Sequence, residues 1–279
     1  MTLRLIVHAD DYGHTGGVSA GIREAHLQGI VTSTSAMMNR PAVVEALTAA
    51  AQSCPRLGIG VHLVLTSGTP LLAPGVIPSL IASNRKFFTE EDFIEHLPEI
   101  HLDEVWAEWS AQVEKFVAVT NHWPDHLDSH HHSSYFTPAL FEMMLNLAAQ
   151  YGCAIRRPQW ELASDTAEPL PPPYTTSGVA EMHLLLAQYN PRTTDAFTDE
   201  FYGAGVSLEH LLAILSSWSE GSANQSMEIM THPAVVDADL LAASSYNETR
   251  ALERVTLQHS EVLAYIKSHP IELINFAQL

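Results

Sequence analysis

The chain is poor in cysteine and in long apolar runs. Of its 279 residues only two are cysteines, Cys54 and Cys153, and they form no CxxC pair. A disulfide framework or a zinc ribbon is therefore not indicated, and a reducing cytoplasm is the expected location. The sequence does not open with a secretory signal pattern, and no window of about 18 apolar residues predicts a membrane span.

Positive charge is also scarce. Thirteen Lys and Arg residues stand against 32 Asp and Glu residues, which gives a formal net charge of −19. Nucleic-acid binding depends on clustered Lys and Arg, and so does attachment to an anionic membrane surface. We therefore expect no nucleic-acid partner and no membrane partner. The sequence also lacks the GxGxxG and GxxxxGK[ST] patterns of nucleotide-binding loops.

Apolar runs and helical patterns alternate along the whole chain. Buried strands are predicted at LRLIVHA, IVTSTSAMMN, LGIGVHLVL, PDHLDSHHH and SMEIMTHPAV, and helical patterns such as TPALFEMMLNLAAQYG lie between such runs. We predict one α/β domain over residues 1–279, a closed or partly closed β/α (TIM-like) barrel of parallel strands, with a doubly wound sheet as the alternative. Residues 158–180 contain five prolines and are predicted to be a loop insertion.

Two adjacent acids follow the first apolar run, in the stretch HADDYG at residues 8–13. Asp10 and Asp11 repel each other and resist burial, so a cation beside them would explain their position. Other polar residues lie in or at the ends of later apolar runs: His62, Asp128, His130 to His132, and His232. In a parallel β/α fold these groups can converge at one rim, and an Asp-His-His set there is typical of a catalytic metal site.

Each of these features alone has a simpler explanation. A pair of aspartates is usually a solvated turn, and a single histidine in a strand is usually a core residue. Their coincidence at successive strand ends is what favours metal-dependent chemistry. A glycosidase is also conceivable, because Asp10 and Asp128 could supply the two carboxyl groups that it needs about 5–10 Å apart.

Four stretches resemble the YdjC-like carbohydrate deacetylases, the family of chitooligosaccharide deacetylase. They are HADDYG with GIREAHLQGIVTSTSAMMN, GIGVHLVLTSGTPL, PDHLDSHHH, and MTHPAVVDADLLAASSYNETRALE, in that order along nearly the whole chain. The resemblance implies an irregular β/α barrel that removes N-acetyl groups from amino sugars in β-linked oligosaccharides such as chitobiose. It also implies a divalent ion, magnesium or zinc, held by one aspartate and two histidines.

Transferred to this chain, the resemblance assigns the metal ligands to Asp11, His62 and His130. It makes Asp10 the base that deprotonates water, and His232 the acid for the leaving amine or an oxyanion partner. Further residues are expected to orient the ligands or to bind substrate: Asp128, His132 and Arg156.

Two positions depart from the family pattern. The family usually has Asn where this chain has His8, and it tends to place a further histidine where this chain has Ser133, Ser134 and Tyr135. Neither departure removes an implied ligand. Both lie close enough to the implied site to bear on which sugar is the substrate.

Three functions stay open on the sequence. The first is a metal-dependent N-deacetylase of small carbohydrates, the second is a hydrolase of another amide or ester, and the third is a metal- or sugar-binding protein without activity. The presence of both Asp10 and Asp11 argues against the third, because a binding protein has no need of a spare base. We expect a cytoplasmic protein, and the proline-rich segment and the resemblance suggest a homodimer.

Overall fold

The computed structural model describes residues 2–158, 170, 172–221 and 225–279. Eight strands lie within these residues: β1 (Leu3–Tyr12), β2 (Ser33–Ala36), β3 (Gly58–Leu63), β4 (His126–Ser129), β5 (Ala154–Ile155), β6 (Ala196–Thr198), β7 (Ser226–Thr231) and β8 (Ile271–Leu273). The helices are α1 (Gly16–Gln28), α2 (Val43–Ser53), α3 (Glu90–His96), α4 (Leu102–Thr120), α5 (Pro138–Tyr151), α6 (Thr176–Tyr189), α7 (Leu208–Gly221), α8 (Ala238–Ala243), α9 (Glu248–Leu257) and α10 (Ser260–Ser268). None of these helices has both the length and the hydropathy that crossing a membrane would require.

The strands form one curled parallel sheet in the order β5-β4-β3-β2-β1-β7-β6. Strand β1 is central, because its residues 4–9 pair with β7 while its first residues, 3–5, also pair with β8. Chain neighbours are sheet neighbours from β1 to β5, and the last strands return to β1 from its other side. This order is that of an irregular β/α barrel, as predicted, and not that of a doubly wound sheet.

The side chains of β1 alternate between the two faces of the curled sheet. Leu5, Val7 and Ala9 belong to the main hydrophobic core, whereas Ile6 packs in a separate small cluster with Ala154, Ile274 and Phe276. Because alternate strand residues share a face, His8 and Asp10 continue the face of Ile6. The edges of the His8 and Phe276 rings meet at a centroid distance of 5.8 Å. The inner face of β1 therefore changes from apolar to ionisable toward its carboxyl end.

Several predicted boundaries were wrong. Strand β2 covers only Ser33–Ala36 of the longer predicted run IVTSTSAMMN. Strand β4 ends at Ser129, and the histidines after it form a short 3-10 segment, His130–Tyr135. Strand β6 and helices α6 and α8 were not predicted. Most of the proline-rich segment lies outside the described residues, and α6 begins at Thr176, inside its predicted range.

Helix α1 approaches the segment after β7 closely at Gly21. A Cβ atom at this position would lie 2.4 Å from the Cα atom of Ala234, which no real Cβ contact tolerates. The backbone of Val235 donates a hydrogen bond to the Gly17 carbonyl (3.0 Å) on the same helix. The absence of a side chain at Gly21 thus sets the position of the chain immediately after His232.

We expect Gly21→Ala to lower the free energy of unfolding by about 1–2 kcal/mol, because the forced backbone shift outweighs the better helix propensity of alanine. Urea denaturation measures the change. The matched control is Gly16→Ala on the same helix, where the nearest atom to an added Cβ is 3.9 Å away. Equal stability of the two variants would contradict the close packing at Gly21.

Candidate active site

Strand β1 ends in an irregularity that brings two adjacent acids into one cavity. Its pairing with β2 changes register between Ala9 and Tyr12, and Asp11 has a left-handed backbone with φ 72°. In a regular strand Asp10 and Asp11 would face opposite sides. Here both line the same cavity, which has a volume of about 530 Å³ and lies at the carboxyl ends of the strands.

Asp11 forms a cluster with one histidine from β3 and one from the segment after β4. The Oδ1 atom of Asp11 lies 3.1 Å from Nδ1 of His130 and 3.5 Å from Nε2 of His62. Potential ligand atoms of all three residues lie within 4.8 Å of one another. Asp11 Oδ1 is buried and has no hydrogen-bond partner among the described residues, although two imidazole nitrogens flank it. This environment fits a divalent cation bound by one carboxylate and two imidazoles.

Two further sets also bring three potential ligand residues together, His8 with His126 and Asp128, and Asp10 with His62 and Asp128. Both share Asp128, which already accepts a hydrogen bond from His62. Both carboxylate oxygens of Asp10 accept hydrogen bonds from Arg156. The set around Asp11 therefore has the carboxylate oxygen that is best placed to bind an ion.

Asp128 fixes the ring of His62. Nδ1 of His62 donates to Oδ1 of Asp128 (2.9 Å), and the Ser35 hydroxyl donates to the other carboxylate oxygen (2.9 Å). This contact leaves Nε2 directed toward Asp11, an arrangement common behind metal-binding histidines. Burial lowers the pKa of His62, but the neighbouring carboxylates, Asp128 foremost, outweigh burial and raise the pKa to about 9. A metal ion at this position would therefore compete with a proton on His62.

Asp10 is held by a fully buried guanidinium. Nη1 of Arg156 donates to Oδ2 of Asp10 (2.9 Å) and Nη2 donates to Oδ1 (2.6 Å), while Nε donates to Glu228 (2.7 Å). Burial raises the pKa of Asp10, but Arg156 outweighs burial and holds the pKa well below its usual range. Asp10 is therefore an ionised carboxylate. Arg156 is 0% exposed and lies behind Asp10, outside the residues that line the cavity.

Asp11 has a different guanidinium partner. Nη2 of Arg250, in α9, donates to Oδ2 of Asp11 (2.6 Å), the oxygen that does not face the two histidines. Burial raises the pKa of Asp11, but Arg250 and His130 outweigh burial and hold the pKa well below its usual range. The two adjacent acids therefore remain ionised together, because each contacts its own arginine.

His232 lies at the cavity wall after β7. Its Nε2 atom is 3.9 Å from Oδ2 of Asp10, and its backbone N–H donates to the carboxylate of Glu253. Burial, with a smaller contribution from Arg250, lowers the pKa of His232 to about 4. The imidazole is consequently neutral at neutral pH.

The three consecutive histidines have different positions. His130 joins the Asp11 cluster, while Nδ1 of His131 lies 3.1 Å from the Thr66 hydroxyl. His132 lines the cavity but is outside the ligand sets, and its ring meets Phe197 edge-on at 5.9 Å. His131 and His132 both have positive φ, 53° and 54°, so the backbone turns sharply and separates the three rings.

Several residues of the site were missed by the sequence reasoning: His14, Tyr202, Glu228, Tyr246, Arg250 and Glu253. Glu228 had a detectable signal, since it is a lone acid inside the apolar run SMEIMT. Arg250 and Glu253 lie in the stretch NETRALE, which the resemblance included without a role for either. Nothing in the sequence pairs Arg250 with a residue 239 positions earlier.

Comparisons with known proteins cover nearly the whole chain. The family model of the YdjC-like proteins matches residues 4–268. A carbohydrate deacetylase of Brevibacillus brevis is 33% identical over 99% of this chain and 100% of its own length. A carbohydrate deacetylase of Enterococcus faecalis is 35% identical over 99% of this chain and 98% of its own.

A solved structure has the same fold. It is that of an Enterococcus faecalis protein proposed to cleave cellobiose-phosphate, with a TM-score of 0.86 and 33% identity, and the match covers 100% of this chain and 99% of the other. The family match and the full-length curated relatives agree over the same residues, so the chain belongs to the family of YdjC-like proteins.

Proposed function

We propose that this protein is a metal-dependent carbohydrate N-deacetylase that removes acetyl groups from amino sugars in β-linked, chitooligosaccharide-like substrates. The observation that carries the proposal is the Asp11, His62 and His130 cluster, with the ionised Asp10 beside it in one cavity. The printed names of the curated relatives support the deacetylase class.

The ligand set would hold one divalent cation through Asp11, His62 and His130. Such an ion polarises an acyl carbonyl and lowers the pKa of a bound water. Two imidazoles and one carboxylate are donors that suit zinc better than magnesium, which prefers oxygen ligands. We therefore favour zinc or a similar transition-metal ion over magnesium.

Asp10 is the proposed general base. Its two oxygens are fixed by Arg156, and it is ionised, so it can accept a proton without first losing one. Arg156 is in turn held by Glu228, which offsets the charge of the guanidinium in the barrel interior. The role of this pair is to fix the direction in which Asp10 meets water and the acetyl group.

His232 is the proposed acid for the leaving amine. Because its imidazole is neutral at rest, the proton that it donates must arrive during the reaction. Asp10, 3.9 Å away, is placed to supply the proton that it has taken from water. An oxyanion-binding role through the ring N–H is the alternative for His232.

Cleavage of a glycosidic bond fits the same residues less well. It would need two carboxyl groups that both reach the sugar, and the candidates are Asp10 and Asp128. Asp128 is 0% exposed and bonded to His62 and Ser35, so it cannot contact a substrate in the cavity. A hydrolase of another amide or ester shares the proposed chemistry and is distinguished by a substrate panel. The cytoplasmic location and the homodimer stay predictions from the sequence.

Removal of the metal should abolish acetate release from N-acetylated chitooligosaccharides, and added zinc should restore it. Asp11→Asn should lower the bound metal, measured by elemental analysis, as well as turnover, because a ligand charge is lost. The control is Asp103→Asn, an exposed carboxylate at the start of α4, which should keep wild-type metal content. Full activity in the presence of a strong chelator would refute metal dependence.

Asp10→Asn should reduce the turnover number by about 10²–10⁴-fold while metal content stays near that of the wild type, since the variant loses a base and not a ligand. Acetate release and elemental analysis of the same preparation make the test. Turnover within a few fold of the wild type would rule out Asp10 as the base.

His232→Ala should also lower the turnover number by about 10²-fold or more with unchanged metal content, because the leaving amine loses its proton donor. A substrate with an activated leaving group should be affected less, and this separates the acid role from the oxyanion role. Turnover near that of the wild type with a full complement of metal would show that another group protonates the amine.

A further inference from the structure

We propose that Tyr202 and Tyr246 form a stacking subsite for a second pyranose ring, the sugar unit next to the N-acetylated sugar that reacts. This inference rests on the proposed function and assigns two residues to the second sugar unit of its substrate. We call the two rings the tyrosine shelf.

The shelf adjoins the reacting groups. The two tyrosine rings are nearly parallel, with an interplanar angle of 28° and a centroid distance of 4.3 Å. The ring of His232 meets Tyr202 at 5.3 Å and Tyr246 at 5.8 Å, edge to face in both cases. Both tyrosines line the cavity that contains Asp10 and Asp11. A sugar unit linked to the one at His232 would therefore meet these rings.

One buried carboxylate fixes both the shelf and the proposed acid. Glu253 is 0% exposed, and it accepts hydrogen bonds from the Tyr246 hydroxyl and from the backbone N–H of His232. The Tyr246 hydroxyl also accepts a hydrogen bond from the backbone N–H of Gly203 (3.2 Å), in the loop that carries Tyr202. The shelf is therefore positioned relative to His232 before a substrate arrives, which limits the entropy lost on binding.

Close backbone contacts hold the loop that carries Tyr202. The backbone N–H of Gly205 donates to the carbonyl of Tyr202 (2.9 Å). A Cβ atom at Gly205 would lie 2.1 Å from the carbonyl oxygen of Glu200, so only glycine permits this close approach. The turn that presents Tyr202 is thus closed by a backbone contact.

Packing alone does not account for Tyr202. The residue lines the cavity and is 46% exposed even though it stacks on Tyr246, so a large part of its surface remains accessible to a ligand. The apolar C–H faces of a pyranose ring are complementary to an exposed aromatic ring, and aromatic side chains are common in ligand pockets. A cavity of about 530 Å³ is also larger than one monosaccharide needs.

Tyr202→Ala should lower the preference for N,N′-diacetylchitobiose over N-acetylglucosamine, measured as the ratio of their kcat/KM values for acetate release, by about fivefold. The loss should appear mainly in KM for the disaccharide, because the shelf binds a unit that does not react. Tyr202→Phe keeps the ring and should retain the wild-type ratio. Trp123→Ala, which removes an exposed aromatic ring outside the residues that line this cavity, is the matched control.

Direct binding separates this proposal from the proposed function. Titration calorimetry with N,N′-diacetylchitobiose should show about fivefold weaker binding to Tyr202→Ala than to the wild type or Tyr202→Phe, whether or not acetate is released. Weakened binding without any acetate release would support the shelf and refute the deacetylase. Acetate release with an unchanged substrate ratio and unchanged binding would refute the shelf alone. Failure of the wild type to bind the disaccharide would also overturn the shelf.

Discussion

Two adjacent carboxylates, both buried, impose the constraint on which the site depends. Neither Asp10 nor Asp11 could stay ionised in the barrel interior without a positive partner, because burial and mutual repulsion both favour the protonated acid. Arg156 meets Asp10 with two hydrogen bonds, and Arg250 meets the outer oxygen of Asp11. The second oxygen of Asp11, Oδ1, faces His62 and His130. The chain thus neutralises part of the charge and leaves one oxygen directed at a position suited to a cation.

On the inner face of the barrel, a buried histidine contacts both Asp10 and Asp128. His8, beneath Asp10 on β1, lies 3.3 Å from Asp10 and 3.3 Å from Asp128, and its Nε2 is 3.1 Å from the Ser35 hydroxyl. It therefore joins the proposed base to the carboxylate that orients His62. An imidazole reaches further than an amide, so it contacts both acids while its other edge packs on His126 and Phe276.

Much of the fold could be predicted because its signals are local. Apolar runs and helix patterns follow one another in the order of a parallel barrel, and strand ends in such a fold share one rim. The same logic placed Asp10, Asp11, His62, His130 and His232 near one another, and all of them line one cavity. The boundaries failed where β-branched or polar runs extended beyond the pairing, as after Ala36 and Ser129. Short elements such as β6 carry too few residues for a periodic signal.

The sequence by itself determined which ionisable groups stand at the strand ends, since residue type and strand order are local properties of the chain. Only the tertiary structure decided which partner each of those groups contacts. The register change and left-handed turn at Asp11 bring both acids into one cavity, and this depends on pairing with β2. The partner of each acid comes from a distant segment, Arg156 after β5 and Arg250 in α9. Such pairings follow from the curl of the whole sheet, which no short stretch of sequence encodes.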